Sequence, residues 1–229
     1  MSIADDQRAF YGELFKKFGD DPRTLSQRDG ATQFERFARM GKLFAGERES
    51  FSVHEVGCGL GHFGEFLSAT IPAASYSGSE VNPDFVDACR KRFPASMFQL
   101  RDVSQETPTD RYDFVTLCGV FNIPLAAAGN RWDAFIRQML LSMYAMARKG
   151  ISVDFLSSYC DADKMNPDLH YQSETEILDF VAKELSRHFE LDNSGPLYEY
   201  TLRVYRPEYL ETHYPSEEFS RYFKKPDQD

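Results

Sequence analysis

Glu55, Glu80 and Asp102 each stand at the end of a short apolar stretch that reads as a buried strand. The first is followed at once by Gly57-Cys-Gly-Leu-Gly61. Glycines at alternate positions leave the backbone bare against a ligand. They also allow the positive φ that a tight strand-to-helix reversal needs. The helix beginning near Gly61 offers free N–H groups and a partial positive charge above that turn. An acidic residue at the next strand tip, here Glu80, 19 residues after Gly61, can accept both hydroxyls of a ribose. The chemistry implied is the grip of a nucleotide-like ligand along successive strand tips.

Two frames compete for the glycines. Gly59-x-Gly61-x-x-Gly64 matches a dinucleotide fingerprint, with a pyrophosphate on the helix start. Glu55-x-Gly57-x-Gly59-x-Gly61 instead puts a carboxylate two residues before the first glycine. That carboxylate repels a pyrophosphate and suits a ligand bearing positive charge.

The elements that position these residues follow from periodicity. Residues 4–46 are helical in pattern, with apolar stripes at Phe10, Leu14, Phe15 and Phe18 and at Phe34, Phe37, Met40, Leu43 and Phe44. Gly19-Asp-Asp-Pro22 breaks them. These helices pack on the sheet edge or form a lid, where Tyr11, Gln33 and Arg36 are the available polar groups. Strands are expected at 52–56, 75–79, 97–100, 112–117, 151–156, 189–192 and 197–205. Asn82-Pro83 caps and opens a helix. The spacing of Trp132, Phe135, Ile136, Met139, Leu140 and Met143 predicts a core helix over 131–149, closed by Gly150. A polar loop, 157–172, precedes a capping box at Ser173-Glu-Thr-Glu176. Across Gly195-Pro196 the last strand pairs back as a hairpin.

The 229 residues suit one α/β domain with short appendages. The division expected is 1–46 (helices), 47–205 (ligand-binding domain) and 206–229 (tail). Four cysteines without a Cys-x-x-Cys pair fit a reduced, cytoplasmic setting. No apolar run reaches membrane-spanning length, and the start is not a signal peptide. Five scattered histidines give no metal-ligand spacing. A net charge of −10 weighs against nucleic acid as partner. The aromatic tail, with Tyr209, Phe219, Tyr222 and Phe223, suits packing on the domain or a homodimer contact.

The ordered set Glu55-Val-Gly-Cys-Gly-Leu-Gly61, Glu80, Asp102-Val103, Cys118-Gly119 and Leu197-Tyr-Glu-Tyr-Thr-Leu202 resembles the class I S-adenosylmethionine-dependent methyltransferases over roughly residues 50–205. The resemblance implies a Rossmann-like, doubly wound seven-stranded sheet with an antiparallel last strand, and a helical lid ahead of it. It implies S-adenosylmethionine as cofactor. Gly57, Gly59 and Gly61 would face its methionyl end beside Cys118 and Gly119. Glu80 would hold the ribose, and Asp102 with Val103 the adenine. Glu55 departs from the commoner aspartate and would reach a water or the cofactor amino group. The acceptor is expected to be a small molecule, methylated on N or O.

The family shows no shared catalytic residue, because the sulfonium is already activated and alignment does most of the work. The catalytic residue is left unassigned, with His170 and Tyr171 as candidates. Substrate contacts are expected from Tyr11, Asn122, His170, Tyr171 and Tyr198. Asn122-Ile-Pro124-Leu125 lacks the aromatic of the base and glutamine N-methylases. The alternatives are a nicotinamide-dependent oxidoreductase, with a wholly parallel sheet, and a non-catalytic sensor or partner subunit that binds the same cofactor.

Overall fold

A computed structural model describes residues 2–25, 30–106, 108–127 and 129–223. The chain opens with α1 (Ile3–Phe18) and α2 (Gly30–Gly41), then runs β1 (Phe51–Val56), α3 (His62–Thr70), β2 (Ala74–Glu80), α4 (Pro83–Arg92), β3 (Phe98–Leu100) and β4 (Tyr112–Leu117). It continues through α5 (Asn130–Met146), β5 (Ala147–Ser157), β6 (Tyr171–Gln172), α6 (Glu174–Glu184), β7 (Phe189–Asp192), β8 (Glu199–Tyr205), α7 (Pro207–Glu211) and α8 (Glu217–Ser220).

The strands lie in the order β3-β2-β1-β4-β5-β8-β7, with the two-residue β6 paired to the end of β5. Neighbours from β3 to β5 are parallel. β8 is antiparallel to both β5 and β7, between which it lies. This is the expected doubly wound sheet with an inserted antiparallel strand, and it departs from the wholly parallel sheet of the dinucleotide reading. One face is covered by α5 and α6, whose Trp132, Ile136, Met143, Ile177 and Val181 pack on Val153, Leu202 and Val204. The other is covered by α2, α3 and α4 through Phe37, Met40, Phe63, Leu67, Val86 and Cys89. Residues 37–44 thus belong to the same core as β1.

Local signals act as written. Ser2 and Asp5 form a reciprocal cap on α1. Asn82 Oδ1 accepts from Asp84 N at 3.0 Å to start α4. The long helix is a correction: it ends at Met146, not Lys149, and Gly150 does not close it. Ala147 is already extended, and its strand pairs with Tyr112 of β4. Gly150 sits inside β5, where a Cβ would come within 2.8 Å of the Val204 carbonyl on β8. Its smallness serves a close strand crossing. Helix periodicity and strand register overlap over three residues here, and sheet pairing wins.

The alternation along β5 and β8 holds a second surprise. Ile151, Val153, Tyr200, Leu202 and Val204 face α5. The opposite, polar face is also buried: Ser152, Asp154, Glu199, Thr201 and Arg203 are all under a tenth exposed. Arg36 and Arg39 of α2 descend onto it. Arg36 Nε donates to Glu199 Oε2 at 2.8 Å and lies 3.2 Å from Asp154 Oδ2, while its Nη2 meets Glu199 Oε1. Arg203 spans Glu190, Asp192 and the Arg39 carbonyl. An amphipathic helix is therefore docked by ion pairs where an apolar contact is the rule.

His54 on β1 is also buried, and it does not line the cavity. It stacks on Tyr112 with ring centroids 4.2 Å apart, and its two nitrogens meet Ser77 Oγ and Ser79 Oγ at 3.0 and 3.1 Å. Burial, reinforced by the Arg101 charge, lowers its pKa to about 3. A free histidine titrates near 6.5, so the folded state holds His54 neutral while the unfolded chain takes up a proton. This contribution is intact above about pH 6.5 and is lost as pH falls toward 3. Between pH 7.5 and 5 it amounts to about 2 kcal/mol. Denaturant titrations at those two values should show a loss that His54→Leu largely removes; an equal loss in both proteins would refute it.

Candidate cofactor and acceptor site

Four loops meet at the carboxyl ends of β1 to β4, and a cavity of about 950 Å³, counting space open to solvent, lies among them. That is the scale of a cofactor-sized site. Gly57, Gly59 and Gly61 have φ of 68°, 52° and 80°, so all three occupy the left-handed region. Space agrees with conformation at Gly57, where a Cβ would strike Val120 Cγ2 at 2.5 Å. Gly61 caps α3 and is backed by Phe93 and Cys89 beneath the turn. It shapes the turn without lining the cavity.

Glu55, Gly57, Gly59, Glu80, Asp102, Val103, Cys118 and Gly119 all line the cavity. Glu80 is bound firmly in place. Its Oε1 accepts from Val81 N at 2.7 Å and Asn82 N at 3.0 Å, and its Oε2 from Gly59 N at 3.0 Å. Burial raises its pKa, and those three N–H groups oppose the rise. With about four lone-pair sites on a carboxylate, Oε1 is filled and Oε2 keeps one for a ligand hydroxyl. Asp102 Oδ1 accepts from Ser104 N at 2.9 Å and Ser104 Oγ at 2.6 Å, which fixes the turn after β3.

At Glu55, Tyr76 OH donates to Oε2 at 2.5 Å, and burial raises the carboxyl pKa well above the usual carboxylate range. One of its two oxygens is thus engaged by the protein itself. Gly119, at φ 73°, donates its N–H to Asp154 Oδ1 at 2.7 Å, so the turn after β4 is tied to the buried charges under α2.

The cavity is roofed by α1. Ala4, Gln7, Arg8 and Tyr11, at i, i+3, i+4 and i+7, line it. Arg8 Nε donates to the Val81 carbonyl at 2.8 Å and Gln7 Nε2 to the Val120 carbonyl at 3.4 Å. The helix thereby bridges the tips of β2 and β4. Burial and the Glu80 charge raise the pKa of Tyr11. Gln33 and Phe37 of α2, and His62 and Phe63 of α3, also line it, with Leu25 over Gly59.

Of the expected substrate contacts, Tyr11 reaches the cavity; Asn122, His170, Tyr171 and Tyr198 do not line it. His170 is drawn aside by its N–H on the Asn122 carbonyl (2.9 Å) and its ring on Gln172 Oε1 (3.2 Å). Tyr171 OH accepts from Asn166 N, and Tyr198 OH donates to Asp161. The 157–172 segment stabilises itself instead of the cavity. Sequence reasoning passed over Gln7, Arg8, Asn82, Arg101 and His62. His62 was marked by its place directly after the glycine turn; α1 carried no motif.

The site suits an adenosyl ligand on its own terms. Three backbone-lined turns converge, one carboxylate is oriented with a free lone pair, and Asn82 Nδ2 is buried at the wall without a partner. Among the described residues no cluster of His, Cys, Asp or Glu could hold a metal ion, and no helix is long and apolar enough to cross a membrane.

Comparison with known proteins agrees with the geometry. A sequence profile described as a methyltransferase domain matches residues 54–149. Rv1506c of Mycobacterium tuberculosis, a protein named as a methyltransferase, is 31% identical over 160 residues, covering 68% of this chain and 93% of that protein. The N-methyltransferase NodS from Bradyrhizobium japonicum WM9, solved with S-adenosyl-L-homocysteine, superposes with a TM-score of 0.62 at 17% identity, over 86% of this chain and 97% of that one. The pyocyanin biosynthetic protein PhzM gives 0.60 at 16% identity over 86% of this chain, which spans only 61% of PhzM. The two solved structures share the fold, and the mycobacterial relative carries the kinship: the chain belongs to the class I S-adenosylmethionine-dependent methyltransferases.

Proposed function

We propose that this enzyme methylates a nitrogen or oxygen atom of a small-molecule metabolite. The observation that carries the reading is the roof: α1 is pinned to the tips of both β2 and β4 and covers the cavity over those strands. That cover narrows the approach for a polymer, and the net charge of −10 weighs against nucleic acid as acceptor. Solved relatives of this fold include proteins named as N- and as O-methyltransferases, which leaves both atoms in the proposal.

When bound, S-adenosylmethionine supplies a methyl group on a positively charged sulfur, already activated toward displacement. The protein's own work is to hold and align. Glu80 takes a ribose hydroxyl on Oε2, Asp102 and Val103 meet the adenine, and Gly57, Gly59, Cys118 and Gly119 lie along the methionyl end. Phe37, Phe63, Phe135 and Met139 exclude water from the cavity wall.

Incubation with methyl-labelled S-adenosylmethionine and a cell extract tests this. Label is expected in the small-molecule fraction; label confined to protein or nucleic acid would overturn the assignment.

A further inference from the structure

The cavity wall built by α2 and α3 holds a set of polar groups given no role above. His62 begins α3 immediately after the glycine turn, and its side chain is only 13% exposed. Its Nδ1 lies 3.2 Å from Gln33 Nε2 of α2, and both residues line the cavity. Its Nε2, on the opposite edge, lies 3.5 Å from Asp20 Oδ1. Asp20 is itself fixed by Arg92, which also donates to the Leu60 carbonyl. An imidazole with one edge on an anchored carboxylate and the other edge facing a cavity is the arrangement that holds a proton acceptor in one tautomer.

We propose that His62 Nδ1 is the proton acceptor for an acceptor hydroxyl, with Asp20 as the positioning residue and Gln33 as the group that yields its place to the substrate. This deepens the small-molecule reading above and rests on it. The tautomer follows from the partners. Asp20 can only accept, so Nε2 carries the hydrogen, and Nδ1 keeps a lone pair that accepts from Gln33 Nε2 at rest. The reaction balances: the acceptor oxygen forms the new C–O bond, the C–S bond breaks with its pair remaining on sulfur as a neutral thioether, and the O–H proton goes to Nδ1. The imidazolium that results is paired with Asp20.

The surroundings select the acceptor. Leu25, Phe37 and Phe63 flank His62 and Gln33, and neither of these two polar groups is charged at rest. Leu25 lies over the glycine turn, within 3.0 Å of where a Gly59 Cβ would be. Phe37 and Phe63 lie with ring centroids 5.2 Å apart. Such walls fit an uncharged, largely apolar molecule. A hydroxyl on it needs a base because it arrives protonated, whereas a free amine does not. The charges facing His62 are Asp20 and Glu65, which raise its pKa, and Arg92, which with burial lowers it. The net shift is downward, so the lone pair is available at neutral pH.

The test starts from wild-type protein, methyl-labelled S-adenosylmethionine and the organic-extractable fraction of a bacterial lysate. His62→Gln is expected to lower the transfer rate roughly 100-fold or more, while the affinity for S-adenosylhomocysteine, measured by calorimetry, stays within about threefold. His62→Ala should regain part of its rate on addition of imidazole. In the ligand-free protein, nitrogen-detected NMR should show His62 with hydrogen on Nε2, and Asp20→Asn should lower its pKa by roughly one unit. The labelled product should release its label as methyl iodide on ether cleavage with hydriodic acid.

Unchanged transfer in His62→Gln, or a loss matched by equally weakened S-adenosylhomocysteine binding, would overturn the proposal while small-molecule transfer stood. A labelled N-methyl product, hydrogen on Nδ1, or an Asp20→Asn titration identical to wild type would overturn it as well. Wild-type protein that labels no small molecule would instead overturn the broader assignment.

Discussion

Replacing Arg36 by methionine is expected to cost about 3–5 kcal/mol of folding stability, a large share of what a domain of this kind possesses. Arg36 is 7% exposed and meets both Glu199 and Asp154. Methionine fills much of the space but leaves Asp154 buried without its cation and Glu199 with only Arg39, 3.8 Å away. Burial already raises the pKa of Asp154, and Arg36 is the main force opposing it. A group whose folded pKa is raised contributes stability below its unfolded pKa and loses it as pH climbs. Without Arg36 that rise steepens, so the defect should be larger at pH 8 than at pH 5. Chemical denaturation at the two values decides it, and Glu199→Leu added to the variant should recover part of the loss. A stable variant with no pH dependence would show that the seam is hydrated and weak. Asp154 also holds the Gly119 N–H, so the same variant should bind S-adenosylhomocysteine less tightly.

The second large effect is on the ligand. Glu80→Gln should weaken S-adenosylhomocysteine binding by about 1.5–3 kcal/mol, or roughly ten- to a hundredfold. Charge-assisted bonding to the ribose is lost, and there is a further consequence of the local geometry. The carboxylate accepts from three backbone N–H groups, and an amide NH₂ cannot. Either Gly59 N or the Val81–Asn82 pair then faces a donor, which pushes on the glycine turn. Calorimetric titration reads the loss; affinity within twofold of wild type would remove Glu80 from the site.

Much of this was legible because it is local. The glycine turn, the strand-tip carboxylates and the cap at Asn82 are short-range devices, and each fixes its own geometry wherever it occurs. The inserted β8 was legible too, since alternation past Gly195-Pro196 admits few other placements. The rest depends on what packs across long separations. Polar residues alternating along β5 and β8 carry no local sign of what covers them, and α2 does so, bringing Arg36 onto a partner 163 residues away. The roof was legible only in part. A lid with Tyr11 was one of two placements open to α1, while Gln7 and Arg8, which also line the cavity, carried no signal beside the apolar stripe of Phe10 and Phe15. His170 and Tyr171 looked functional because a long polar loop often is, and their hydrogen bonds inside that loop draw them away.

The slot taken by β8 has a consequence for how the molecule is made. Until residue 205 emerges, β5 ends the sheet as an open edge, and β7 has no neighbour to join. The arginines of α2, synthesised early, meanwhile wait for Glu199 at the far end of the chain. The last strand thus closes the assembly: a ribosome-bound chain halted near residue 195 would expose a sticky ribbon edge and leave Arg36 with Asp154 but without Glu199, and would need shielding until the closing strand slides in.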